Sequence, residues 1–380
     1  MNLAARLAPL APMAAACLAA PLVLGACAST ERPRTPAAQA GDLRAAAASL
    51  EAANPVQPLP VPPLGAAGEL TDLAFRVTPE KVRLGRWLFF DARLSADGRV
   101  SCATCHDPAH GFSEVEPVST GVHGKTGTRK APPILNAAFP IYPVWFWDGR
   151  AASLVEQAKG PMANPVEMGM SQERLVATVQ GIAGYRRHFV EAFGDDRVDL
   201  DRIAEAIAAY EATRFSGNSA FDRFDAGDEK ALDARQRQGR DLFFGKAACN
   251  QCHLGPQLSD SRFHNLGIGW KAPPPGADPR TGFSDPGRAA VTGKVEDTGA
   301  FKTPTLREGS RRAPYMHDGS VATLLAVVEL YDRGGTKNPW LSGDVKPLGL
   351  TAAEKEALVA FLGALVGEGY QDTAPRLFPR

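Results

Sequence analysis

Two stretches of the chain carry the same order of apolar and polar positions. Gly85-Arg86-Trp87-Leu88-Phe89-Phe90 is answered by Gly239-Arg240-Asp241-Leu242-Phe243-Phe244, and each copy runs on into a Cys-x-x-Cys-His, Cys102 to His106 and Cys249 to His253. The pattern predicts that each copy opens with a helix turning Leu and Phe inward, and the repetition implies two related modules in tandem. The first copy carries a few more loop residues, around Ala96-Asp97-Gly98. Apolar residues at helical spacing recur over 203–210 and 353–362, Pro/Gly-rich loops such as 271–288 lie between, and strand-like alternation is hard to find. The expected fold is mainly α, with modules over residues 69–215 and 216–367, a boundary between Arg214 and Ala220, and a tail over 368–380.

The N-terminus has its own pattern. Arg6 precedes an uncharged, Ala/Leu-rich run over 7–24, followed by Leu24-Gly25-Ala26-Cys27. A charged start, an apolar stretch and small residues before a cut site describe a secretory signal over 1–26. The tetrapeptide resembles a lipobox, which would make Cys27 a lipidated anchor and the protein a periplasmic, membrane-tethered one. Two alternatives stay open: ordinary cleavage with Cys27 incidental, or an uncleaved anchor, since the run approaches the ~18 apolar residues that can span a bilayer. All three place the folded part outside the cytoplasm. Residues 27–68 are rich in Ala, Pro and Gly and are expected to form an extended tether without helix or central strand.

Composition narrows the function classes. Lys plus Arg and Asp plus Glu both number 42, so no net field draws the chain to nucleic acid or to acidic lipid, and nucleic-acid binding is set aside. A hydrophobic content of 44% is that of a globular protein with a core.

The strongest chemical signal is the repeated Cys-x-x-Cys-His. Its two thiols attach to the vinyl groups of a haem, and the adjoining histidine turns its imidazole onto the iron. Two such knuckles could instead hold zinc, or each could be a dithiol redox pair. Zinc, however, does not require a histidine directly after each knuckle, and the βαβ setting of a thioredoxin-like pair is missing. Cys17 and Cys27 lie in the leader and the other four cysteines in the motifs, so this exported chain has no disulfide framework to claim them. Two covalent haem c groups follow, attached at Cys102, Cys105, Cys249 and Cys252, with His106 and His253 as proximal iron ligands. Haem alone leaves an electron carrier, a gas sensor or an enzyme open. A carrier closes both axial positions of its iron, whereas a peroxidase leaves one for its substrate.

Further motifs bear on that choice. Phe146-Trp147-Asp148-Gly149-Arg150-Ala151 is followed by Glu156-Gln157-Ala158 and Asn164-Pro165-Val166-Glu167-Met168; the second half contains Phe301-Lys302-Thr303-Pro304-Thr305-Leu306-Arg307 and Pro314-Tyr315-Met316-His317-Asp318-Gly319. Together they resemble the bacterial diheme cytochrome c peroxidase and MauG family, in order over about residues 70 to 367. The resemblance implies two cytochrome-c-like domains with one covalent c-type haem each and the active site at their interface. It implies reduction of hydrogen peroxide to water at the N-terminal haem, with electrons from a small donor protein, a cytochrome c or a cupredoxin, entering through the C-terminal haem. By position, Trp147 would bridge the haems, Glu167 would move a proton between the peroxide oxygens, and Gln157 would orient the substrate. Read without the motif, Glu167 is a solvated loop carboxylate; Trp145 reads as core packing in either case. The MauG branch implies an alternative, oxidation of a partner protein through a high-valent state of both haems. A plain diheme electron carrier is the alternative of a different class, and a homodimer is compatible with all three.

Four positions depart from the family pattern. Some relatives close the N-terminal iron with a loop histidine that leaves on activation. The register counted back from Ala131-Pro132 puts Val122 there, with His123 one residue late, so His123 is either a slipped ligand or an exposed loop residue. The spacing from His317 that reaches an axial methionine in the ordinary peroxidases reaches Tyr331 here, as in MauG; otherwise Tyr331 is a buried helix residue without iron contact. Ala247 stands where MauG has the tryptophan that passes oxidising equivalents to its substrate. Lys130 replaces an asparagine that helps relatives hold calcium between the domains, and an ammonium would repel that cation. His110, close behind the first motif, is another loop histidine, while His264 and His317 read as structural, with haem propionates as partners.

Overall fold

Helix pairs organise the protein. The computed structural model describes residues 36–380 apart from 67–69, 71–72, 74 and 139–143. The expected signal segment and Cys27 lie outside the described residues. Helices that matter below are α1 (Pro36–Ala53), α2 (Pro79–Phe90), α3 (Leu154–Ala163), α4 (Gln172–Gly181), α5 (Ala183–Phe193), α6 (Leu200–Ala212), α7 (Ala234–Phe244), α8 (Leu324–Asp332) and α9 (Ala352–Gly363). Among the described residues the one named strand pair is β1 (Phe263–His264) with β2 (Phe301–Lys302), antiparallel with Phe263 opposite Lys302.

The repeat read from the sequence is a repeat of packing. Helix α2 starts at Thr78, whose hydroxyl caps Lys81 N at 3.3 Å, with Pro79 at the first helical position. It crosses α6 so closely that a Cβ on Gly85 would lie 1.8 Å from the carbonyl oxygen of Ala206. In the second module α7 crosses α9 in the same way, and a Cβ on Gly239 would lie 1.9 Å from the carbonyl oxygen of Ala357. Each glycine is therefore required by close backbone approach. An aromatic pair sits beside each crossing, Phe89 on Tyr210 at 5.0 Å between centroids and Phe243 on Phe361 at 5.2 Å. Trp87, Leu88, Phe89 and Leu84 are fully buried, and burying each such side chain contributes about 1.5–3 kcal/mol.

An ion pair and a hydrogen bond to a backbone carbonyl join the modules. Arg129 donates to Asp285 at 2.7 Å and to Asp148 at 2.6 Å, and Arg288 reaches the carbonyl oxygen of Asp148 at 2.8 Å.

Two segments differ from expectation. Within the expected tether, residues 36–53 form helix α1. Alanine is the best helix former, and Pro36 occupies the first turn, where a missing N–H costs nothing; the prolines that forbid a helix begin only at Pro55, and 55–63 carries neither helix nor strand. The tail over 368–380 is a strap on the first module. Asp372 accepts from Arg86 at 2.8 Å, from Tyr210 Oη at 2.8 Å and from Arg214 at 3.2 Å, and the carbonyl oxygen of Leu377 accepts from Trp87 Nε1 at 3.0 Å.

Candidate haem and peroxide site

Both Cys-x-x-Cys-His motifs are built alike. Cys102–Cys105 is a single helical turn and Cys249–Gln251 a 3-10 turn, so each motif brings its two thiols and its histidine to one place. His106 Nδ1 donates to the carbonyl oxygen of Phe112 at 3.2 Å, and His253 Nδ1 to that of Leu258 at 2.9 Å. A carbonyl only accepts, so each Nδ1 carries the proton and each Nε2 is left with the lone pair that a metal requires. Burial pushes both imidazoles down, His253 to about 4, which keeps them neutral and fit to ligate. Burial raises all four thiols. Among the described residues, moreover, the one three-residue cluster of potential ligands is Cys252, Asp260 and His264, so the two motifs do not meet around a single ion.

The second motif opens into a mostly apolar cavity of about 260 Å³, lined by Cys249, Cys252, His253, Met316, His317 and Tyr331 among others. A ring attached at the two thiols and held by His253 fits this space. Tyr331, on α8, faces the cavity, and its phenol is raised by burial first and then by the thiols of Cys249 and Cys252 nearby. His317 is buried and stacked on Phe301, with ring centroids 3.5 Å apart. His264 Nε2 pairs with Asp260 at 2.8 Å. Both histidines line the cavity and neither replaces His253.

Around the first motif lie three carboxyls, Glu167, Glu114 and Glu211. Glu167 sits in the turn that follows α3, and Asn164 Nδ2 donates to its Oε1 at 2.8 Å. Burial raises it, with Glu114 adding to the effect and Arg150 and Asn164 opposing it. Its charge in turn acts on both Cys102 and Cys105, which puts it beside the first motif rather than on the solvated surface. Glu114, which the sequence reading missed, is buried as well; it accepts from Ser119 Oγ at 2.6 Å and from the backbone N–H of Ala131 at 2.5 Å. Gln157 is half-buried on α3, one loop away from Glu167.

His123 is corrected. Its side chain is 61% exposed, 3.9 Å from Asp97, and its own backbone N–H is held by Asp97 at 2.8 Å in a left-handed conformation. Val122 is the residue turned inward: it is buried, and its N–H donates to the carbonyl oxygen of Glu167 at 2.8 Å. A valine cannot ligate iron. His110 is likewise half-exposed and paired with Asp107 at 2.9 Å.

Trp147 lines both the large cavity and a smaller one of about 50 Å³ that Pro133, Lys302, Pro304 and Thr305 also line. Its Nε1 donates to the carbonyl oxygen of Lys130 at 2.8 Å, and its own carbonyl accepts from Lys302 N at 2.8 Å. Lys130 is a hub: its buried ammonium donates to the carbonyl oxygens of Glu114 and, at 2.9 Å, Glu116, while its N–H donates to the carbonyl oxygen of His317 at 2.7 Å. The side chain thus supplies a tethered cation to carbonyls that could otherwise face a bound one. Chelator should therefore leave the haem spectrum and turnover unchanged; activity lost to chelator and restored by calcium would contradict this role of Lys130.

Glu211 was also invisible in the sequence. It sits on α6, buried, with Oε2 lacking a hydrogen-bond partner, and it is the strongest charge acting on Cys102. Burial alone raises it to about 8. Its folded-state value lies above the unfolded one, so the stability present at low pH is lost progressively between about pH 4.5 and pH 8. Glu211→Gln should flatten the pH dependence of denaturant stability across that window and gain a few kcal/mol at its alkaline end, at about 1.4 kcal/mol per unit. Unchanged pH dependence would place the Glu211 carboxyl in water.

Two covalent attachment motifs, each with a neutral histidine, the second of them opening onto a cavity that Trp147 also lines, define a c-type cytochrome with two haems. Known proteins agree. Residues 79–230 match the family described as di-haem cytochrome c peroxidase. The methylamine utilization protein MauG of Methylorubrum extorquens is 41% identical over 303 residues, 79% of this chain and 82% of that protein. Cytochrome c551 peroxidase of Nitrosomonas europaea is 35% identical over 344 residues, 89% of this chain and 92% of that protein. Among solved structures, a MauG-like protein associated with microbial copper homeostasis superimposes with a TM-score of 0.73 at 32% identity, covering 86% of this chain and 99% of that one. The chain belongs to the di-haem cytochrome c peroxidase family that includes MauG. It is an oxidoreductase, and membership implies two haem c cofactors.

Proposed function

We propose that the protein reduces hydrogen peroxide to water at its N-terminal haem, using electrons that a small donor protein, a cytochrome c or cupredoxin, delivers through the C-terminal haem. The observation that carries this reading is Glu167, a carboxyl raised by burial and held by Asn164 beside the first motif. The N-terminal haem supplies, when bound, the iron at which the O–O bond breaks. Glu167 takes the proton from one peroxide oxygen and returns it to the other, which leaves as water. Gln157 orients the peroxide, and Trp147 conducts between the two pockets. His106 and His253 would hold the irons, and Tyr331 would be a further ligand on the C-terminal side. The export signal and Cys27 would keep the enzyme in the periplasm, tethered to a membrane.

Tyr331 also supports a second reading, oxidation of a partner protein. Against a direct transfer of that activity stands Ala247, buried in the cavity wall with no ring to conduct through. The assay that separates the readings adds peroxide and reduced cytochrome c. Two cytochromes oxidised per peroxide is the expected result; no peroxide reaction in any redox state would make the protein a plain electron carrier.

A further inference from the structure

Behind the wall of the C-terminal motif's cavity lies an aromatic cluster that the peroxide reaction does not use. Gly299 lines that cavity, and a Cβ placed on it would lie 2.4 Å from Phe283 Cε1, so the Phe283 ring packs flat against the cavity's backbone. Behind Phe283 stand two tryptophans. Trp270 is 4.9 Å and Trp340 6.4 Å from it between centroids, and the indoles meet edge to face at 6.5 Å. Leu266 and Ile268, also in the cavity wall, lead directly into Trp270. Both indoles are half-buried, flanked by exposed Lys271 and Pro339, so the cluster runs from the cavity lining to the surface.

The cluster is held firmly. Buried Asn265 donates to the carbonyl oxygen of Thr298 at 2.7 Å and to Asn338 at 3.2 Å, and Asn338 Oδ1 in turn caps the N–H of Trp340 at 2.9 Å. A Cβ on Gly282 would lie 2.4 Å from Trp270 Cζ3, which pins the other indole. Indole is far easier to oxidise than phenyl or aliphatic groups, so two fixed indoles between a haem cavity and water form a route for charge rather than mere filling.

We infer that Trp270 and Trp340 are a surface oxidation site, at which equivalents generated from peroxide leave the C-terminal haem and are quenched by phenolic or indolic donors. The inference rests on the peroxide reading above. An indole gives one electron to the peroxide-oxidised haem pair and its N–H proton to water; a phenol then returns one electron and one proton, restoring the indole and leaving as a phenoxyl radical. Two phenols are consumed per peroxide reduced to two waters.

The test treats the haem-loaded protein with peroxide in the absence of donor and maps oxygenated residues by peptide mass spectrometry. Oxygenation should concentrate on Trp270 and Trp340 and spare buried Trp87. Added guaiacol should suppress it, and cyanide, which blocks the iron, should abolish it. Trp270→Phe and Trp340→Phe should each keep the change in the haem spectrum on adding peroxide while losing guaiacol oxidation. A normal spectral response with oxygenation elsewhere, or with equal oxygenation under cyanide, overturns this site and leaves the peroxide reading intact. A haem spectrum that never responds to peroxide overturns both.

Discussion

The fully oxidised protein should react with peroxide without prior reduction, whereas Tyr331→Met should require an electron first. The reason lies in the ligand's charge. In its cavity the Tyr331 phenol is raised by burial, so on its own it stays neutral. A ferric iron held by His253 and bound by Tyr331 would reverse that, because a bound cation lowers the pKa of its ligands. The phenolate then favours the ferric and higher states, while a methionine thioether raises the potential. Axial ligands span about 0.8 V, and the exchange should move the C-terminal haem upward by a sizeable part of that range. A haem of low potential is a poor store for a donor's electron but can give one up to its partner through Trp147. Stopped-flow spectra and a redox titration of both proteins check this. An inert oxidised wild type, active only when half-reduced, would remove Tyr331 from the ligand set.

The haem motifs and the paired helix crossings were legible in the sequence because each is a local device. Covalent attachment needs thiols and histidine at fixed spacing, and the close crossing of α2 with α6 needs glycine at 85 just as α7 with α9 needs it at 239. What stayed hidden depends on residues far apart in the chain. Glu114, Glu211 and Asp372 read as ordinary surface carboxylates until the fold buries the first two and sets the third between Arg86, Tyr210 and Arg214. His123 shows the converse. Its position beside Val122 suggested a ligand, but a left-handed backbone anchored by Asp97 turns the imidazole outward. Residues 36–53 show the same for composition: prolines on either side mask a stretch that is locally alanine-rich and helical.

Replacing Glu167 by glutamine should cost peroxide turnover about 10²–10⁴-fold, the usual contribution of a positioned acid–base group, while two haems remain attached. Glutamine keeps the shape and can still meet Asn164, so folding and haem content are controls rather than casualties. The pH profile adds a check that a merely structural role would not move. Glu167 must be a carboxylate to take the proton, and burial raises its pKa, so turnover should fall as pH drops through a value above that of a free glutamate. The direction of a neighbouring change follows: Arg150 holds Glu167 down, and Arg150→Ala should move that acid limb to higher pH. The limb should vanish in the Glu167→Gln variant. Normal turnover in that variant, or an unmoved acid limb without Arg150, would return Glu167 to the role of a loop carboxylate and shift the search for the proton carrier to Glu114, the other buried carboxyl near Cys105.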